Sequence, residues 1–302
     1  MSDASSVHPA LVFRPADTVT VAFAGLLFCL VMIFFRQIPA ASMLLVIYAS
    51  VIVFQCALVR IGPVTKTLRV VRDIVFPVVS ILIIFDSLGL VVHHVNPQDL
   101  DHLLIRLDWL VFGAHPTVAI ERIMHPLLTD LLQIAYTTYY FLPVSIGVVL
   151  WRQGRHAAFS YFVFMILLCF YLSYIGYLLF PALGPRYAMA HLQTADLPGS
   201  MISHAIQTTL NKLEGVKRDA FPSGHTGIAV TSLVLAWRLD RRLFRIFLLP
   251  VILLVAATVY CRYHYVVDVL GGLVLVVVTL AIGDVYYKFW EKRHGHSASD
   301  NA

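Results

Sequence analysis

"AFSYFVFMILLCFYLSYIGYLLF", residues 158–180, runs without a single Asp, Glu, Lys or Arg. A helix needs about 20 such residues to cross roughly 30 Å of hydrocarbon. The run has companions at about 19–35, 41–59, 74–92, 127–151, 223–238, 243–261 and 265–287. Over its 302 residues the chain is 59% hydrophobic and only 13% charged, whereas a soluble protein carries roughly 25% charged residues. The expected fold is an all-α integral membrane protein with about eight transmembrane helices. The expected order is a polar N-terminus (1–18), accessory spans with an outer amphipathic loop (19–126), a core of spans (127–290) and a polar tail (291–302).

The net charge of +5 does not point to nucleic acid, because the basic residues sit in short loops between spans. With the N-terminus inside, fourteen of the 22 Lys and Arg fall in inside segments, including Arg238, Arg241, Arg242 and Arg245. Short basic loops stay cytoplasmic, which orients the chain. A seven-span arrangement would move the 238–245 loop or the C-terminus outside. The outer loops are then 93–126, 181–222 and the turn at 262–264. In the first, "DLDHLLIRLDWLVFG" (99–113) has apolar residues at helical spacing and is expected along the membrane surface. In the second, "LQTADLPGS" (192–200) reads as a loop before a short helix over 201–214. The first run lacks a basic leader and a small-residue cleavage site, so it reads as a retained span. Cys29, Cys56, Cys169 and Cys261 all fall in predicted spans without metal-ligand spacing, so neither a disulfide framework nor a metal site is expected.

Three polar islands interrupt this apolar pattern, all on the outer side. In "VYCRYHYVVDVLGG" (259–272), His264 and Asp268 are four apart and share one helix face. A carboxylate there can hold one imidazole nitrogen, fix the tautomer and leave the other nitrogen to act. Ionisable groups at a span edge are costly and usually face a protein interior or a cavity. In "AFPSGHTGIAV" (220–230), Pro222 and Ser223 suit a helix start and Gly224 permits close approach. The first-turn N–H groups can bind an anion beside His225; a capped helix start with a surface histidine explains the same residues. In "FPALGPRYAM" (180–189), Arg186 is the sole charge in a turn and can clamp phosphate oxygens or anchor the interface. Two histidines, one carboxylate, an anion cradle and a clamp arginine together suit phosphoryl transfer. Lys217 and Arg218, just before the second island, either add to the clamp or lie solvated. Tyr136, Tyr139 and Tyr140 either line an acceptor pocket or form an interfacial belt.

The three islands resemble, in order, the motifs of the type 2 phosphatidic acid phosphatase superfamily of membrane phosphoesterases: "GPR", "PSGH" and "HYVVD". The resemblance covers roughly 90–290 and implies a phosphatase-type helical-bundle core. It implies that His264 attacks phosphorus to form a phosphohistidine, that Asp268 orients it and that His225 protonates the leaving group. It further implies that Arg186, Ser223, Gly224 and Arg262 contact the phosphate, with Arg218 beside them, and that no metal or other cofactor is needed. Two places depart from the usual pattern. Leu179 and Tyr187 stand where the first motif has Lys and Pro, and Thr258 stands where the third has its Arg. This pattern, with "LDWLVFGAHPTVAIERIMHPLLTDLLQIAYTTYYFLP" (107–143), is similar to the inositol-phosphorylceramide-synthase branch. That branch includes transferases that pass a head group to a lipid alcohol instead of water. The expected partners are a phosphorylated lipid, a lipid alcohol as the alternative acceptor to water, and the membrane. The expected location is a plasma or inner membrane with the site extracytoplasmic. A lipid transporter or scramblase that binds head groups without cleaving them is the alternative from another class.

Overall fold

The computed structural model describes residues 12–61, 65–214 and 218–294, so Lys217 and parts of both polar ends lie outside the described residues. The main helices are α1 (Pro15–Ile33), α2 (Ala41–Ile61), α3 (Phe76–Leu88), α4 (Asp101–Phe112), α5 (Pro126–Arg152), α6 (His156–Leu179), α7 (Met201–Glu214), α8 (Gly224–Leu239), α9 (Arg241–Tyr260) and α10 (Val266–His294). α1 and α5 both begin with Pro at their first position, where its missing N–H costs nothing.

Six of these, α1, α2, α5, α6, α9 and α10, are long and apolar enough to cross a membrane, making this a multi-pass membrane protein. The two other expected spans are present as helices that fall short of that length. The 74–92 run becomes the 13-residue α3, preceded by Lys66–Val70 and a π turn over Val71–Val75. The 223–238 run becomes α8, 16 residues or about 24 Å. The outward faces of the spans carry Val46, Val53, Val274 and Val285, each more than 60% exposed. Lipid accepts such faces, whereas water does not.

The 16-residue α8 sits at the centre. α8 packs against α5, α6, α9 and α10, and buries Gly224, Gly227, Ala229, Thr231, Ser232 and Ala236. Small residues let backbones approach, which is how helices hold together where lipid removes the hydrophobic drive. α1, α2 and α3 wrap α6 through Phe23, Leu27, Tyr48 and Ile84 against Tyr171, Tyr174 and Tyr177.

The two ends of the bundle differ. At one end Asp17 binds Arg72 (2.7 Å), Gln55 (2.9 Å) and Arg14, while Arg14 also meets Asp73. Arg238 pairs with Asp284 (2.9 Å), and the Trp290 indole donates to the Phe13 carbonyl (2.8 Å) at this end too. The opposite end holds the exit of α6, the start of α8 and the α9–α10 turn. α4 and the turns of Pro116–Ile123 form a bracket bent by 69° across that end.

Candidate active site

The three islands meet at this second end. After α6, Gly184 adopts φ 88°, and a β-carbon there would stand 2.8 Å from the Tyr263 carbonyl. Only glycine lets the 181–186 turn lie this close to the α9–α10 turn. A backbone bridge joins Ala182 to Asp219, with the Ala220 N–H donating to the Ala182 carbonyl at 3.1 Å. The stretch leading into α8 is thereby tied to the first island. Ser223 caps α8: its hydroxyl oxygen accepts from the Thr226 N–H at 3.2 Å, as expected of a Ser at that place. Pro222 precedes the cap. The Ser223 N–H donates to the Asp268 carbonyl at 3.0 Å, which fixes α8 to α10.

His264 is 4% exposed and its Nδ1 lies 2.8 Å from the Ala220 carbonyl oxygen. A carbonyl can only accept, so Nδ1 carries a hydrogen and Nε2 is left with its lone pair in the neutral ring. Asp268 Oδ2 is 3.5 Å from the same Nδ1 and accepts the Tyr265 N–H at 2.8 Å. The expected carboxylate grip is therefore shared: Ala220 sets the tautomer at hydrogen-bond distance, and Asp268, fully buried, stands behind it. His264 Nε2 faces His225 Nδ1 at 3.4 Å, and the Tyr136 hydroxyl is 3.4 Å from the same His225 nitrogen. The His225 ring lies 4.5 Å from the Tyr136 ring and 4.2 Å from that of Tyr139. Tyr136 is 1% exposed. Tyr136 and Tyr139 are thus packed on the His225 ring.

The arginines take different places. Arg186, half-buried, lies over the Tyr263 ring (4.7 Å to its centre), and that ring stacks on Tyr136 (4.3 Å). Arg186 is thereby brought to the histidine cluster through two aromatic rings. Arg262 gives Nη2 to Glu121 (2.7 Å) and Nη1 to Gln193 (3.1 Å), with both charged side chains at most 10% exposed. Arg218 binds Asp99 at 2.7 Å. Arg218 and Arg262 are the non-glycine residues of positive φ among the described residues, at 57° and 62°. Such strain clusters at functional sites. Gly224 lies against Tyr177, whose hydroxyl occupies the place of a β-carbon.

The residues that brace this site were not singled out in the sequence. Asp101 accepts from the N–H groups of Leu183 (2.8 Å) and Gly184 (2.9 Å) and from the Tyr265 hydroxyl (2.9 Å). Asp108 accepts from the N–H groups of Val266 (3.1 Å) and Val267 (2.9 Å), capping α10 from another helix. α4 therefore turns its carboxylates inward, 6% and 2% exposed, and presents Trp109, Leu110 and Val111 outward. Helical periodicity alone marks both faces but not which one is buried. Glu121 accepts from the Thr194 hydroxyl and N–H. The hydroxyl bond outweighs burial and, with the N–H and the Arg262 charge, holds the Glu121 carboxyl below the usual range.

The arrangement offers an imidazole nitrogen with a fixed lone pair, a second imidazole beside it and an arginine stacked nearby, all within the helical bundle. Comparison with known proteins identifies a family. The profile of the PAP2 superfamily matches residues 102–282. A PA-phosphatase related-family protein of Dictyostelium discoideum is 24% identical over 178 residues, which is 52% of this chain and 32% of that protein. The chain thus spans about a third of the relative's length. No solved structure matches.

Proposed function

This chain belongs to the PAP2 superfamily, and from that premise we propose that it is a lipid phosphoesterase working through a phosphohistidine. The carrying observation is the His264 ring, locked by the Ala220 carbonyl with Nε2 facing His225. In the first step Nε2 attacks phosphorus, the bond to the leaving oxygen breaks, and His225 gives that oxygen a proton. The ring of His264 then carries positive charge, which Asp268 offsets from behind Nδ1. In the second step water or a lipid alcohol attacks the phosphohistidine and returns a proton to His225. The phosphoryl group enters by parting two rings whose nitrogens are 3.4 Å apart before it binds; catalytic contacts are often set only in the complex.

Arg186 and the first turn of α8, at Ser223 and Gly224, are the proposed phosphate contacts. Glu121 and Gln193 take one N–H from each terminal nitrogen of Arg262, so its proposed contribution to the phosphate comes from the remaining N–H groups. Arg218, held by Asp99, takes an outer position beside the site. The basic loops opposite the site support an extracytoplasmic active site. The branch resembled in 107–143 supports head-group transfer to a lipid alcohol beside hydrolysis. The test is a panel of lipid phosphates, diphosphates and phosphodiesters given to the purified chain in liposomes, with and without diacylglycerol or ceramide. Phosphate release or head-group transfer, abolished by His264→Ala, is expected. Activity that survives His264→Ala would sink the mechanism.

A further inference from the structure

A second space adjoins the histidine cluster. It has a cavity volume of about 180 Å³, opens to the side and lies between α3, α5 and α6. His225 and Asp219 stand at one end, Asp73 and Ile74 at the other. Along α6 its lining reaches from Phe159 to Tyr177, a length of about 27 Å at 1.5 Å per residue. Tyr139, Tyr140 and Tyr177 adjoin His225 at the site end; beyond them, apart from Tyr174 and Asp73, the lining is Ile, Leu, Val, Phe, Pro and Gly. α3 packs on α6, and the gap between α3 and α5 is edged by the exposed Val78, Leu82 and Val144. In a bilayer those side chains face hydrocarbon.

Resting on the reading of the site just given, we infer that this cleft holds one extended hydrocarbon chain of the lipid whose phosphate ester reacts at His264. The chain slides in sideways between α3 and α5. An apolar space of this kind does not hold water, and left empty its walls lose their packing partners. A small polar ligand would find polar groups at the His225 end and beyond it only Tyr174 and Asp73, the latter already engaged by Arg14. A lipid chain enters from surroundings as apolar as the cleft and needs no desolvation. Along α6 the lining spans about 27 Å, room for a fully extended chain of about 20 carbons. α3 lies outside the matched residues 102–282, so one wall of the cleft is supplied by the accessory helices of this chain.

The experiment uses the full chain in liposomes with octyl phosphate, eicosyl phosphate and a water-soluble aryl phosphate. The wild type is expected to favour eicosyl over octyl phosphate in kcat/KM by about tenfold or more, the scale on which apolar pockets discriminate. Leu82→Trp and Val144→Trp, at the lateral mouth, are expected to erase that preference while aryl phosphate turnover stays within about twofold. Equal loss on all three substrates, or an unchanged preference, overturns the inference. A readout without turnover runs in parallel. The His264→Ala chain is irradiated with an eicosyl phosphate bearing a diazirine at its far end. Labels near Gly147, Phe159 and Phe162 support the cleft, and labels confined to the outer faces of the helices overturn it. Cleft labelling without turnover of any substrate would sink the proposed function and leave the chain site standing.

Discussion

At the scale of single residues, the account assigns different work to two neighbouring histidines. His225 matters as a proton donor, so its worth depends on the leaving group. His225→Ala is expected to lower kcat on an alkyl phosphate by roughly 100-fold to 10,000-fold, the usual range for acid–base catalysis. On p-nitrophenyl phosphate, whose leaving group departs without a proton, the loss should be much smaller. Steady-state kinetics on both esters checks this, and equal losses would remove His225 from the acid role. The pairing of Arg262 with Glu121 makes a second prediction, because both are nearly buried. Removing one partner of a buried pair leaves the other uncompensated. Arg262→Ala and Glu121→Ala should each destabilise the protein, and the double variant should fall short of their sum by about 1–3 kcal/mol. Unfolding measured in detergent tests it; strict additivity would mean the pair is not coupled.

At the scale of elements, α4 is a brace whose inward carboxylates hold the turn after α6 and the start of α10. Asp108→Ala should cost about 1–2 kcal/mol of stability, as the loss of a helix cap does. It should also lower kcat by displacing His264, two residues before α10. Asp108→Asn, which keeps an accepting oxygen, should recover part of both; melting midpoints and kinetics together check the pair. This scale also shows what the sequence reveals. The starts of α7 and α8, the Ser223 cap and the face shared by His264 and Asp268 are local facts, legible from spacing within a few residues. Asp101 and Asp108 act on partners 164 and 158 positions away, and no periodicity records such pairs. The Ala220 carbonyl is equally illegible, since any residue supplies one. The π turn over Val71–Val75 belongs to this class too. Hydropathy sums over the whole run and does not see where a helix changes pitch.

At the scale of the whole molecule, the polar islands all fall at one end and the basic loops at the other. From the charge pattern of the spans we propose that the basic end is cytoplasmic, and this is testable without any substrate. With Cys29 and Cys56 replaced by Ser, a cysteine introduced as Asp196→Cys should react with an impermeant maleimide on intact cells. One introduced as Gln153→Cys should react only after permeabilisation. The reverse pattern would place the site in the cytoplasm.

The central claim, a phosphoryl group carried on His264, is met most directly by trapping it. The purified chain is mixed with a radiolabelled lipid phosphate, quenched in alkali and digested, and the label is located by mass spectrometry. The account predicts an acid-labile, alkali-stable phosphate on His264, lost in His264→Ala and accumulating when water and alcohol acceptors are limited. Turnover with no label on His264 under any quench, or label on His225 in its place, would contradict it.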